Sequence, residues 1–344
     1  MKILVLYTRL TGYWMACMRH DHARTGNTYL VFRTPPSAEA PFKIKSEDGI
    51  EVLDFNKEQW ATLEQHARAF APDVIYVSGW TNKRYLNLAL AYKLQNVPVV
   101  LGMDNHWLGT LKQRLAGLLS PWLVKKYVTH IWVPGLPQYR FAQQLGFRPK
   151  HILTGLYCAD DSLFKSIAQE EHQRQLLFVG RVVEHKGVKV LFRAVEELIA
   201  EGAFDIQLHI IGNGPLVHLI PKHPNVMHTP FMAPEALTEA MSNAGTFILP
   251  SLYEAWGVVV HEAALAGLPI ISTYQCGAAS EFVINGFNGY RYDAKDVDAL
   301  KHIIRQVAQQ SAAAYVAMSQ NSRHLGGHHT LEDWSAKINS LKHG

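Results

Sequence analysis

Residues 249–269 read Leu249-Pro250-Ser251-Leu252-Tyr253-Glu254-Ala255-Trp256-Gly257-Val258-Val259-Val260-His261-Glu262-Ala263-Ala264-Leu265-Ala266-Gly267-Leu268-Pro269. An apolar strand ends at Pro250 and a loop carries Glu254. A helix begins around Trp256 to Gly257, and its free backbone N–H groups can hold phosphate oxygens. Glu262 follows Glu254 by eight residues, so even in a continuous helix the two carboxylates stand about 12 Å apart. That is too far to share a proton as a hydrolase pair does, and it suits two hydroxyl-bearing ends of one extended ligand. Glu262 is embedded among Val258, Val259, Val260, Ala263, Ala264 and Leu265. A carboxylate in such a setting needs a partner, either a structural cation or a ligand.

Upstream, Phe178-Val179-Gly180-Arg181 leads through Glu184-His185-Lys186-Gly187 into the helical stretch 188–200. A strand ending in Gly, then two cations and a helix start, builds a pyrophosphate site, unless Arg181 and Lys186 merely solvate a loop. Between these segments, Leu208-His209-Ile210-Ile211 runs into Gly212-Asn213-Gly214-Pro215. Its glycines permit close approach of a ligand and equally make a plain turn.

The same strand-then-helix grammar recurs along all 344 residues. Short apolar runs at 3–7, 29–32, 74–77, 97–101 and 131–133, then at 175–179, 205–211, 246–249 and 268–272, alternate with longer amphipathic segments. This is the pattern of parallel sheets covered on both faces. The length predicts two doubly wound α/β domains. Periodicity breaks near Gly155–Phe164, before a polar helix expected over Ser166–Arg174. We therefore expect an N-terminal domain over 1–158, a second over 159–325, and a terminal helical segment over 326–344 that packs back towards the first.

With 48% apolar and 18% charged residues the composition is that of a globular chain. The longest weakly polar run, 256–272, holds His261 and Glu262, so no spanning helix is expected. The opening Met1–Tyr7 reads as a first strand and the cytoplasm as the default location. Three scattered cysteines, Cys17, Cys158 and Cys276, fit a reducing compartment. Residues 1–158 carry 19 Lys and Arg against 10 Asp and Glu, and residues 159–344 carry 14 against 19, so the first half suits an anionic partner.

In order, Gly180-Arg181 with Lys186-Gly187, the Glu254-to-Glu262 spacing, Ala266-Gly267-Leu268-Pro269, Gly277-Ala278-Ala279-Ser280-Glu281 and Asn285-Gly286-Phe287-Asn288-Gly289 resemble the family-four retaining glycosyltransferases, also called group 1. The resemblance covers the second half and, more loosely, the first. It implies a GT-B fold, two facing Rossmann-like domains with a cleft between them. It also implies that Arg181 and Lys186 neutralise the diphosphate of a nucleotide sugar, that Glu254 meets the transferred sugar, and that Glu262 meets the ribose. The helix start at Trp256, Gly257 and Val258, with Gly180 and Gly214, would line the nucleotide. In the first domain the resemblance points to Gly12, in a turn lacking the family's usual glycine pair, and to His106 as a sugar-contacting histidine. The implied partners are a UDP, GDP or ADP sugar and a hydroxyl acceptor of the lipid-linked glycan class, with no nucleic acid. The alternative is a silent nucleotide-sugar-binding subunit that regulates or scaffolds a partner.

No metal is expected. Asp296-Val297-Asp298 reads as a helix start, and His328-His329 and His20-x-His22 lack a third ligand and read as surface histidines. A nicotinamide enzyme is disfavoured because no Gly-x-Gly-x-x-Gly follows the first strand. Finally, Leu111, Leu115, Leu118, Leu119, Trp122 and Leu123 form a helical stripe flanked by Lys112, Arg114, Lys125 and Lys126. It reads first as core, and otherwise as a basic amphipathic element resting on an anionic leaflet.

Overall fold

A computed structural model describes residues 1–35, 44–54, 60–167 and 173–343. The chain forms two compact units, Met1–Cys158 with Thr330–Gly344, and Ala159–His329. The helix expected over Ser166–Arg174 falls mostly outside the described residues.

The first unit contains β1 (Lys2–Tyr7), β2 (Thr28–Arg33), β3 (Ile50–Asp54), β4 (Val74–Ser78), β5 (Val99–Gly102), β6 (His130–Val133) and β7 (Ile152–Thr154). These strands form one parallel sheet in the order β3-β2-β1-β4-β5-β6-β7. Its helices are α1 (Gly12–Thr25), α2 (Trp60–Phe70), α3 (Lys83–Lys93), α4 (Leu111–Ser120) and α5 (Leu136–Gln144). Strands with inward side chains on both faces produce two apolar layers. Leu4, Leu6, Ile75, Val77 and Leu101 belong to one layer and Ile3, Val5, Tyr76, Val100 and Trp132 to the other.

The second unit contains β8 (Gln175–Val179), β9 (Gln207–Ile211), β10 (Val226–Thr229), β11 (Thr246–Leu249), β12 (Ile270–Thr273) and β13 (Gly289–Tyr292). They form a parallel sheet in the order β10-β9-β8-β11-β12-β13. Its helices are α6 (Asp161–Phe164), α7 (Val188–Ala200), α8 (Pro234–Ser242), α9 (Val258–Leu265), α10 (Ala279–Phe282), α11 (Val297–Ala308) and α12 (Ala312–Gly326). Asp296 caps α11, its carboxylate accepting from the Ala299 N–H at 2.8 Å.

The last helix, α13 (Leu331–Ser340), packs on α1 in the first unit. Thr330 and Asp333 form a reciprocal capping box at its start. The indole of Trp334 is fully buried against Trp14 and Trp132, and its N–H donates to the Leu156 carbonyl at 3.1 Å. Beneath it lies the buried carboxylate of Asp21, which accepts from Tyr29 Oη (2.6 Å), Asn27 Nδ2 (2.7 Å), Ser335 Oγ (2.5 Å) and Asn339 Nδ2 (2.8 Å). Four donors replace the water that a buried charge gives up.

The amphipathic stripe differs from the core reading. Leu111, Leu118 and Trp122 are 83%, 75% and 66% exposed, and Leu115, Leu119 and Leu123 also face outward. The helix leans on its unit through small residues instead. A Cβ on Gly117 would stand 2.9 Å from the Gln144 carbonyl oxygen, and Ser120 Oγ donates to the Leu145 carbonyl at 2.7 Å. Pro121 ends α4 and opens a wider turn over Pro121–Lys125.

Asp21→Ala removes the shared acceptor of four donors, the buried Tyr29 and Ser335 among them, so we expect it to cost about 3 kcal/mol or more of stability. Urea unfolding followed by tryptophan fluorescence checks this; a loss well under 1 kcal/mol would contradict the bonding described.

Candidate active site

In the second sheet the strand order reverses between β8 and β11, and ligands of doubly wound folds bind beyond the strand ends at such a point. Three loops converge there, 180–187 after β8, 212–216 after β9 and 250–257 after β11. They interlock through backbone bonds. Val182 N–H donates to the Asn213 carbonyl (2.9 Å), Leu216 N–H to Val182 (3.2 Å) and Leu252 N–H to His185 (2.9 Å). Gly180 ends β8 with its N–H on the Ile211 carbonyl at 3.0 Å. Gly214 lies so close to Val182 that a Cβ would reach within 2.2 Å of its carbonyl oxygen. Gly187 makes a closer approach still. Its φ is +68°, and a Cβ would stand 1.8 Å from the Pro250 oxygen, so only glycine lets the Lys186 turn meet the Glu254 loop.

That contact brings Lys186 and Glu254 together. The ammonium donates to Glu254 Oε2 in an ion pair where both side chains are largely buried. Arg181 is exposed, with no carboxylate paired to it among the described residues. Burial, with the positive charges of Lys186 and Arg181 partly offset by Glu254, holds His185 below the usual imidazole value.

Helix α9 starts beside Glu254. Gly257 precedes it with φ +91°, no side chain caps it, and its first turn contains no acidic residue. The N–H groups at Val258 and Val259 are thus left for an anion. Trp256 is only 3% exposed, so its indole belongs to the core and its backbone alone is available to a ligand.

Glu262 lies one turn into α9, half-buried, and no cation pairs with it among the described residues. The structural salt bridge is therefore not found. Burial, reinforced by the nearby charge of Asp160, pushes its carboxyl up to about 7.

Gly12 and His106 lie in the first unit. Gly12 is the first residue of α1, with open space around it. His106 is 7% exposed in the loop after β5, and its carbonyl accepts from Gln113 Nε2 at 2.6 Å. The structure adds residues that the sequence does not single out. Asp104 accepts from Tyr157 Oη at 3.1 Å, and Tyr157 packs edge-on against Tyr13 at 5.6 Å. Burial, with Tyr13 and Asp104 adjacent, pushes the Tyr157 phenol well above its usual value.

The model of glycosyl transferases group 1 matches residues 160–325. Over this segment the chain is similar to the group 1 glycosyltransferases. A glycogen synthase of Mycobacterium tuberculosis is 28% identical over 274 residues, covering 72% of this chain. The chain spans 63% of that relative's length. Anabaena Alr3699/HepE, solved in complex with UDP and glucose, superposes with a TM-score of 0.73 at 16% identity over 99% of this chain and 98% of its own. WaaG, a glycosyltransferase involved in lipopolysaccharide biosynthesis, gives 0.69 at 18% over the full length of both. These likenesses establish the GT-B fold, two Rossmann-like domains.

Because the folded value of Glu262 lies above the ordinary 4.5, its contribution to stability is complete at low pH and disappears as pH rises through about 7. We expect the difference in Tm between the wild type and Glu262→Gln to shrink or reverse across this window and to level off above it. Melting curves from pH 4.5 to 8 check this, and a difference independent of pH would contradict it.

Proposed function

We propose that the chain is a metal-independent, retaining glycosyltransferase of family four that moves a hexosyl unit from a nucleoside diphosphate sugar to a hydroxyl of a lipid-linked surface glycan. The observation that carries this reading is the Lys186–Glu254 pair beside the uncapped start of α9. A diphosphate arriving there draws the Lys186 ammonium onto its oxygens, with Arg181 and the α9 N–H groups, and frees Glu254 to accept from sugar hydroxyls. As the C1–O bond to the diphosphate breaks, the growing phosphate charge meets these groups. The acceptor oxygen then bonds to C1 on the same face, and its proton passes to the departing phosphate oxygen. Two cations and a helix start supply the countercharge, which is the basis for metal independence. The ribose falls to Glu262, and Gly12 and His106 serve the acceptor and transferred sugar in the first unit. The family match, the UDP held by HepE and the pathway of WaaG support the donor and product classes.

We place the reaction at the cytoplasmic face of a membrane. Cys17, Cys158 and Cys276 are free thiols, which suits a reducing compartment. No helix among the described residues is long and apolar enough to cross a membrane. Instead, the outward leucines of α4 and Trp122, with Lys112, Arg114 and Lys126 alongside, match an anionic leaflet. Their apolar groups enter the acyl boundary and the cations meet headgroup phosphates.

Thermal shifts with UDP, GDP and ADP identify the nucleotide, since a ligand bound by the folded state alone raises Tm. With the matching nucleotide sugar, Lys186→Ala should lower kcat/KM about 10²-fold and Arg181→Ala about tenfold or more. Unchanged turnover in both would end this mechanism. For the membrane contact, Leu118→Glu with Trp122→Glu should abolish co-sedimentation with phosphatidylglycerol vesicles that the wild type shows and that pure phosphatidylcholine does not support. Equal binding by the double variant would remove α4 from the interface.

A further inference from the structure

His261 stands immediately before Glu262 in α9 and is fully buried. Its two ring nitrogens reach two distant parts of the chain. Nδ1 accepts from the Ala159 N–H at 3.1 Å, and Nε2 stands 3.0 Å from the Gly326 carbonyl. The first bond requires a bare Nδ1, so the proton is on Nε2 and is donated to Gly326. Ala159 is the first residue of the second unit, and Gly326 lies three residues before its last, His329. One imidazole therefore ties α9 to both segments by which the chain enters and leaves this unit.

The ring is held flat as well as pinned. It stacks on Phe282 of α10 with centroids 4.3 Å apart and planes 2° from parallel, and His329 covers it at 5.6 Å. His329 is thus part of this packing rather than a plain surface histidine. The end of α12 also sits directly on α9, since a Cβ on Gly326 would lie 2.8 Å from Leu265 N. A protonated ring would turn an N–H towards the Ala159 N–H. Burial, with the positive charges of His329 and Lys165 nearby, holds the imidazole down at about 3, so it stays neutral.

We propose that His261 is a positioning residue of the nucleotide-sugar site, fixing the register of α9, and with it Glu262 and the phosphate-facing helix start, to the entry and exit segments of its unit through its two opposed hydrogen bonds. This rests on the functional reading above. A leucine or other apolar residue would fill the same space without either bond. A residue that only filled the core would affect melting and leave the affinity of the folded protein unchanged. A positioning residue changes the affinity itself, and each bond restores part of it.

The full chain and its His261→Asn, His261→Gln and His261→Leu variants are titrated calorimetrically with UDP, GDP and ADP, with melting curves to set the folded fraction. Asn retains an acceptor near Nδ1, Gln a donor near Nε2, and Leu neither. We expect the Kd of the nucleotide that the wild type binds to rise about tenfold in the Leu variant and about threefold in Asn and Gln. A folded Leu variant with Kd within twofold of the wild type overturns the proposal. If Leu does not fold, Asn and Gln decide, and wild-type Kd in both overturns it. A wild type that binds none of the three nucleotides brings down the functional reading and this inference with it, an outcome distinct from intact binding in the variants.

Discussion

The ion pair between Lys186 and Glu254 is the constraint around which the second unit is built. Neither charge would tolerate its largely buried setting alone, and each supplies what the other gave up in leaving water. For the pair to form, the loop after β8 must touch the loop after β11, which is why Gly187 lies directly on the Pro250 carbonyl. The reversal of strand order between β8 and β11 opens the space into which both loops project. The start of α9, which no side chain caps, then stands against the Glu254 side of the pair, where a Cβ on Gly257 would lie 3.0 Å from Glu254 Cγ.

Much of the doubly wound pattern is legible in the sequence because the inner strands are buried on both faces and read as unbroken apolar runs. Residues 175–179 and 246–249 are found as strands with those limits. The four strands that the pattern misses are β3, β7, β10 and β13, the two edges of each sheet. An edge strand is half exposed, so it mixes in residues such as Glu51, Met227 and Arg291 and loses the signal.

The site is unevenly legible for a related reason. Arg181, Lys186, Glu254 and Glu262 stand in two short contiguous motifs, where spacing alone suggests a shared task. Asp104 with Tyr157, or His261 with Ala159 and Gly326, are partners separated by tens of residues or more, and no local pattern links them. The stripe on α4 shows the opposite failure. Its period is helical, but a period does not say which way a helix faces. The small residues Gly117 and Ser120, which let backbones approach closely, decide that the leucines point outward.

The place of α13 has a consequence for biosynthesis. Trp334, Ile338 and Leu341 complete the apolar layer that Ile3 and Val5 begin, with the whole second unit translated in between. On the ribosome the inserted unit emerges entire before Thr330 does, so it can finish folding while its predecessor still lacks the indole that closes its interior. Until then Asp21 lacks the donors Ser335 and Asn339. The first unit therefore cannot complete its apolar layer until the chain beyond the second unit has been made.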